Sequence, residues 1–351
     1  MSNSNSLTTL GWQNFFQQQI SLEEWDTTFP ARVIEQHRSQ LNISAVTNTD
    51  DLVDVSLPVI HSMPPMTVGD WLLVDEQQGF VRLLDRKTAF SRKSAGTQSK
   101  QQIIAANVDT AFIVCALNQD FNLNRIERYL ALVNESGADP VVILSKCDLV
   151  DNPEDYRAQV QKLDPLLIVE TVNCLDADSI ASLSHWLQPG KTIALLGSSG
   201  VGKSTLTNTL LGNEIQTTQA IRADDDKGRH TTTSRSLFQT QQGALILDTP
   251  GMRELQLSDC ETGIAETFAD IESLADSCRF ADCQHQSEPG CKVQEALNSG
   301  ELDERRLNNY LKLKREEQIN SASLAEKRAS DKALGKFYKK TLSEAYRLKG
   351  R

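Results

Sequence analysis

Gly197-Ser198-Ser199-Gly200-Val201-Gly202-Lys203-Ser204-Thr205 carries the most specific chemistry in this sequence. Its glycines let the backbone bend so that successive N–H groups point at phosphate oxygens. Lys203 can reach the β- and γ-phosphates, and the Ser204 hydroxyl can ligate Mg²⁺. The apolar run Thr192–Leu196 before it reads as a buried strand. Leu206, Leu210 and Leu211 after it are spaced for one face of a helix. Strand, glycine-rich turn and helix form the context of a phosphate-binding loop, so a nucleoside triphosphate is expected.

Two further motifs follow apolar strands, at carboxyl ends where open α/β sheets bind ligands. Ser145-Lys146-Cys147-Asp148 follows Val141–Leu144, and Asp248-Thr249-Pro250-Gly251 follows Ala244–Leu247. A carboxylate at Asp148 can accept from N1–H and N2–H₂ of guanine. Adenine offers no such donor pair, so GTP is expected over ATP. The Lys146 stem can lie along base and ribose. Asp248 suits the Mg²⁺ shell through water, and the Gly251 N–H suits the γ-phosphate.

Between loop and Asp248 lies Lys227-Gly228-Arg229-His230-Thr231-Thr232-Thr233, where Thr232 can supply a second hydroxyl to Mg²⁺. Met252 stands where many GTPases place a glutamine to orient the attacking water. A thioether cannot do that, which makes His230 the nearest candidate. The base motif precedes the phosphate loop, which precedes Asp248. In ordinary GTPases the phosphate loop comes first and the base motif late, so this order describes a circularly permuted GTPase, acceptable because domain termini lie close together at the surface.

Cys278, Cys283, His285 and Cys291 fall within one short segment. Three thiolates and an imidazole suit one tetrahedral zinc with no open position, hence a structural site. Reduced cysteines without metal are the other reading of this spacing. The seven cysteines are an odd number, which argues against a secreted disulfide framework. No long apolar run and no signal peptide is present, so a cytoplasmic protein without membrane contact is expected.

The elements that position these motifs divide the 351 residues into four. Residues 1–29 are a polar extension with Trp12, Phe15, Phe16 and Trp25, read as a short docking helix. Residues 30–102 carry five short alternating strands (31–35, 41–46, 52–57, 71–75 and 80–84), which suggest an OB-fold barrel. The basic stretch Arg86–Lys100 within that part reads as an exposed linker. Residues 103–265 alternate strand and helix, which predicts a doubly wound parallel sheet. Strands are expected at 110–116, 141–144, 166–169, 192–196 and 244–247, with helices at 124–134 and 179–186. Residues 266–351 hold the cysteines and two charged helices near 302–320 and 324–349.

Net charge is −11, but Glu301–Arg351 holds 14 Lys and Arg against 8 Asp and Glu. That tail is therefore +6 and leaves −17 for the other 300 residues. A basic tail on an acidic body suggests local contact with a polyanion such as RNA.

Together these motifs, with Val68-Gly69-Asp70, Ala105-Ala106-Asn107-Val108-Asp109 and Gly228–Thr233, resemble the ribosome small-subunit-dependent GTPase A family (RsgA, also called YjeQ). The resemblance covers most of the chain. It implies an N-terminal OB-fold, a central permuted GTPase and a C-terminal zinc domain. It also implies slow GTP hydrolysis stimulated by the small ribosomal subunit, late in that subunit's maturation, with the subunit's rRNA and GTP or GDP as partners of a monomer. A nucleotide-gated RNA-binding module with negligible turnover is the alternative. Three departures suggest a divergent paralogue. Ser145 replaces the usual Asn, which lowers the expected guanine affinity. Asn173-Cys174-Leu175 stands near where a Ser-Ala pair would back the base, and the N-terminal extension is long.

Overall fold

Short runs rich in apolar and β-branched residues build the first five strands. They are β1 (Phe29–Gln36), β2 (Gln40–Val46), β3 (Leu52–Pro58), β4 (Trp71–Val74) and β5 (Phe80–Leu83). The computed structural model describes residues 4–47, 51–93, 101–212, 235–248, 252 and 257–321. β1 pairs antiparallel with β2 and β4, β2 with β3, and β4 with β5. No β3–β5 ladder occurs among the described residues, so the strands make a partly open OB-type barrel. Val33, Leu41, Ile43, Leu57, Leu72 and Val74 are buried in its core.

The N-terminal extension forms three short helices, α1 (Ser4–Thr9), α2 (Asn14–Gln17) and α3 (Leu22–Thr27), where one docking helix was expected. Leu7, Leu10 and Phe16 pack with Trp71, Leu73 and Leu84 of the barrel. Fully buried Arg32 on β1 donates to the carbonyls of Leu10, Gly69 and Asn107, satisfying a charge that burial pulls down to about 10.

The part of the expected exposed linker that lies among the described residues, 86–93, is structured. Arg86 pairs with buried Asp70 at 2.6 Å, and Thr88 and Phe90 are buried. Strand β6 (Ala89–Lys93) pairs antiparallel with β7 (Gln101–Ala106). The charged residues hid a strand that buries Phe90, with buried Thr88 just before it.

The α/β part contains β8 (Thr110–Ala116), α4 (Leu123–Ser136), β9 (Asp139–Ser145), α5 (Pro153–Gln161) and β10 (Ile168–Val172). It continues through α6 (Ala177–Ile180), β11 (Thr192–Leu196), α7 (Lys203–Leu211), β12 (Arg235–Gln239) and β13 (Leu245–Asp248). β10, β9, β8, β11 and β13 pair in that order, all parallel. β10 begins later than expected because Leu166 is 89% exposed, outside the apolar run that counts. The helix expected over 179–186 is α6 followed by a 3₁₀ turn at Ala181–His185.

The antiparallel strand β12 was not expected. It pairs with β13 on one side and with β1 on the other, Ser236 facing both Asp248 and Glu35. The barrel and the nucleotide sheet are thereby one continuous sheet. Arg235 reinforces the seam, donating to Gln36 Oε1 at 2.9 Å and Thr67 Oγ1 at 3.2 Å.

The C-terminal helices are α8 (Glu261–Thr267), α9 (Ala269–Asp276), α10 (Lys292–Ser299) and α11 (Glu304–Ser321). Fully buried Glu127 on α4 accepts from Arg305, Arg306 and Asn309 of α11, and Arg306 also pairs with Asp270. A buried carboxylate is stable here because three donors meet it. His230, Thr232, Gly251 and the helix expected over 324–349 lie outside the described residues, and Asp248 is described in its backbone alone.

Candidate functional site

The phosphate loop joins β11 to α7 at the carboxyl edge of the parallel strands. Gly197, Gly200 and Gly202 have φ of 141°, 80° and 102°. At Gly197 the requirement is also spatial, since a Cβ would lie 2.3 Å from Val114 O. The loop is followed at once by α7, whose first N–H groups have no intrahelical acceptor and whose dipole end is positive. Leu206, Leu210 and Leu211 bury the opposite face of that helix. Lys203 Nζ rests against the loop, donating to Gly197 O at 2.7 Å and to Ser198 O. The arrangement presents a ring of backbone donors plus one ammonium, a receptor for a polyphosphate.

The base motif lies directly beside it. β9 ends at Ser145, Lys146 turns the chain with φ of 58°, and Cys147–Leu149 form one 3₁₀ turn. Ser145 Oγ is buried and donates to Val201 O at 2.6 Å. Lys146 Nζ donates to Gly200 O at 2.8 Å. Ser145 thus uses its short side chain to tie the strand end to the phosphate loop. Asp148 is exposed, with its carboxylate available to a ligand. Cys174 is buried at 5% exposure, its sulfur 3.6 Å from where a Cβ on Gly202 would sit. Burial pushes its thiol up to about 12. Thr209 Oγ1 of α7 donates to Cys174 O at 2.8 Å, so the Asn173–Leu175 turn is fastened to the helix that follows the loop.

Cys278, Cys283, His285 and Cys291 converge between α9 and α10, their donor atoms all within 4.8 Å of one another. Cys278 Sγ lies 3.9 Å from Cys291 Sγ, and His285 Nδ1 lies 3.7 Å and 3.5 Å from those two sulfurs. Tetrahedral zinc with Zn–S of about 2.3 Å and Zn–N of about 2.0 Å needs S···S of ~3.8 Å and S···N of ~3.6 Å. The donor set therefore fits that ion. Burial holds His285 below its usual 6.5, keeping the imidazole neutral as a ligand must be. Gln294 Nε2 fixes His285 through its carbonyl at 2.5 Å. Glu288 accepts the N–H groups of Gln284, Gln286 and Ser287, which shapes the loop around the donors.

The family model for the RsgA GTPase matches residues 83–258, which span the base motif, the phosphate loop and Asp248. The chain belongs to the RsgA GTPase family. It is 56% identical over 344 residues to the small ribosomal subunit biogenesis GTPase RsgA 2 of Vibrio parahaemolyticus, covering 98% of this chain and 95% of the relative. Identity to RsgA of Xanthomonas axonopodis pv. citri is 47% over 306 residues, covering 86% of this chain and 83% of the relative. Among solved structures, YjeQ from Thermotoga maritima matches with a TM-score of 0.59 at 24% identity, over 82% of this chain and 97% of that one. YloQ, described as a circularly permuted GTPase, gives 0.56 at 21% identity, over 81% and 93%. At these identities the likeness is one of fold, and it agrees with the permuted strand order found here.

Sequence reasoning passed over Arg125. It sits one turn into α4, behind Asn122, whose side chain caps the helix at Arg125 N. Its guanidinium reaches the phosphate loop, Nη1 donating to Ser198 Oγ at 2.7 Å. The available signal was its place, since α4 starts at the carboxyl end of β8, next to β11 in the sheet. No helix of the described residues is long and apolar enough to cross a membrane.

Proposed function

We propose that this chain hydrolyses GTP in the biogenesis of the small ribosomal subunit, as the names of its RsgA relatives state for them. The observation that carries this reading is the junction of the Ser145–Asp148 turn with the phosphate loop, made by the Ser145–Val201 and Lys146–Gly200 bonds. That junction supports reading Asp148 as the guanine-selecting carboxylate beside a polyphosphate cradle.

In this reading, residues 197–205 cradle the phosphates and Lys203 leaves its loop carbonyls for the β- and γ-oxygens. Asp148 selects guanine, the Lys146 stem covers the base, and Ser145 and Cys147 hold that turn. Ser204 and Thr232 would hold Mg²⁺, with Asp248 behind its water and Gly251 at the γ-phosphate. Mg²⁺ bound with the nucleotide supplies neutralisation of charge on the transferred phosphoryl group. Met252 is buried at 2% exposure, which supports assigning the water-orienting role elsewhere, to His230. The metal of the Cys278, Cys283, His285, Cys291 cluster is zinc, and it is structural. Residues 1–29, 30–102, 103–265 and 266–351 act as extension, barrel, GTPase and zinc-helical parts of a cytoplasmic monomer that meets rRNA at restricted faces.

Turnover with GTP and with ATP, each with and without small ribosomal subunits, tests this. GTP hydrolysis raised by subunits is expected, and Asp148→Asn should weaken guanine binding by about 1.5–3 kcal/mol. Co-sedimentation should be stronger with a non-hydrolysable GTP analogue than with GDP, and weaker as salt rises. Equal affinity for ATP and GTP would overturn the nucleotide assignment. Nucleotide-dependent binding to the subunit without turnover would leave the gated RNA-binding module. Full stimulated turnover in His230→Ala would move the water-orienting role to another group.

A further inference from the structure

The phosphate loop is held from two flanks, and only one of them is the base motif. On the other flank Arg125 Nη1 donates to Ser198 Oγ at 2.7 Å. Ser198 occupies the first variable position of the loop, and its side chain points into the body of the protein. Asp120 backs the arginine as its ion-pair partner. The other Asp120 oxygen, Oδ2, is buried and has no hydrogen-bond partner. Tyr129, one turn further along α4, also hydrogen-bonds Ser198. Asp120, Arg125, Tyr129 and Ser198 line one small cavity behind the loop, closed by Val114 and Cys115 of β8.

A loop rich in glycine has high conformational entropy, so its ligand-ready form needs external fixation. Preorganisation of that kind raises affinity by removing the ordering term from binding. We infer that Arg125 is a positioning residue for the nucleotide, which acts through Ser198 to hold the phosphate loop in its receptive form. Asp120 fixes the guanidinium, and the guanidinium fixes the Ser198 side chain. The backbone N–H groups around it then face the phosphates before the nucleotide arrives. The inference rests on the nucleotide reading above.

The signature is a uniform loss of nucleotide affinity with little change in the chemical step. GDP and a non-hydrolysable GTP analogue are titrated against the full chain. Arg125→Ala should weaken both about 10-fold, the size of one charge-assisted hydrogen bond. kcat at saturating GTP should stay within roughly two-fold while KM rises. Ser198→Ala leaves the Arg125–Asp120 pair intact, so it avoids a folding defect. It should reproduce the loss, and the double variant should be no worse than either single one. Arg125→Lys should restore part of the affinity, because an ammonium can still reach one acceptor.

Additive losses in the double variant would overturn the route through Ser198. A fall in kcat with affinity unchanged would make Arg125 a catalytic residue in direct contact with the reacting phosphate, and would also overturn it. So would unaltered affinity in Ser198→Ala. If the unmutated chain binds neither nucleotide, the nucleotide reading itself fails, and that result is separate from all three.

Discussion

The phosphate loop between β11 and α7 and the cysteine loop between α9 and α10 are held in shape by different kinds of contact. The first is complete within the protein. Lys203 bonds Gly197 O and Ser198 O, Ser145 bonds Val201 O, Lys146 bonds Gly200 O and Arg125 bonds Ser198 Oγ. The second gathers four donors within 4.8 Å of one another, three of them at 3.5–3.9 Å, that have little reason to approach one another without an ion. Its own support is Glu288, which is itself only half-buried, and the Gln294 bond to His285. The difference teaches where the binding energy goes. A preorganised loop spends none of it on ordering, whereas a donor loop converts it into folding.

Removing the metal gives the largest contrast. Structural zinc contributes on the order of 10 kcal/mol or more to segments of this kind. Chelation, or Cys291→Ser, should abolish bound zinc and expose the amides of 278–291 to hydrogen exchange. Affinity for GDP should remain, because α11 is held to α4 through Glu127 and not through the cluster. Loss of GDP binding on chelation would break the comparison. Elemental analysis below half a zinc per chain, with no chelator used, would count against the ion itself (a closed site binds about one).

Lys203→Ala should act in the opposite place. It removes a charged donor to the phosphates, about 1.5–3 kcal/mol of affinity, while zinc content and overall melting stay as they were. Isothermal titration with GDP beside elemental analysis separates the two centres. Glu288→Ala is smaller. Three backbone N–H groups lose their acceptor, so zinc affinity should fall about 10-fold, as for other groups that orient metal ligands, with nucleotide affinity unmoved. Competition with a coloured chelator reads this directly.

The smallest effect concerns the thiols. Burial pushes Cys174, beneath the phosphate loop, up to about 12. Burial also raises Cys278, but the backbone N–H groups of Lys292 and Val293 outweigh it and leave the thiol below its usual 9. A thiolate is the reactive form. Near pH 8 an alkylating reagent should therefore label Cys278 of zinc-free protein and leave Cys174 untouched until the medium is strongly alkaline. Mass spectrometry of the labelled peptides checks it, and early labelling of Cys174 would mean that the phosphate loop opens.

What could be read in the sequence follows the same division. The phosphate loop is legible because Gly197 has no alternative with Val114 O so close, and the lysine must follow. The cysteine cluster is legible because few residue types bind zinc. The parallel strands β8, β9 and β11 are legible as unbroken apolar runs buried on both faces. β12 was not, because Arg235–Gln239 is half-exposed and one of its two partners, β1, is remote in the chain. β6 was hidden by its charges. The contact of Arg125 with Ser198, 73 positions apart, has no local pattern at all. Ser145 was read as a weakened Asn from its length alone, whereas its surroundings turn the hydroxyl onto Val201 O.

β12 has one more implication, for anyone who would take the molecule apart. Its two flanks are already occupied, by β13 toward the nucleotide and by β1 toward the barrel. A cut before β8 would not release two finished objects. It would strip one side of β12 and leave a row of bare N–H and C=O groups, the template on which strands from separate molecules stack into aggregates. The N-terminal third of this protein is thus also a cover, and the nucleotide-binding part has been shaped never to be without it.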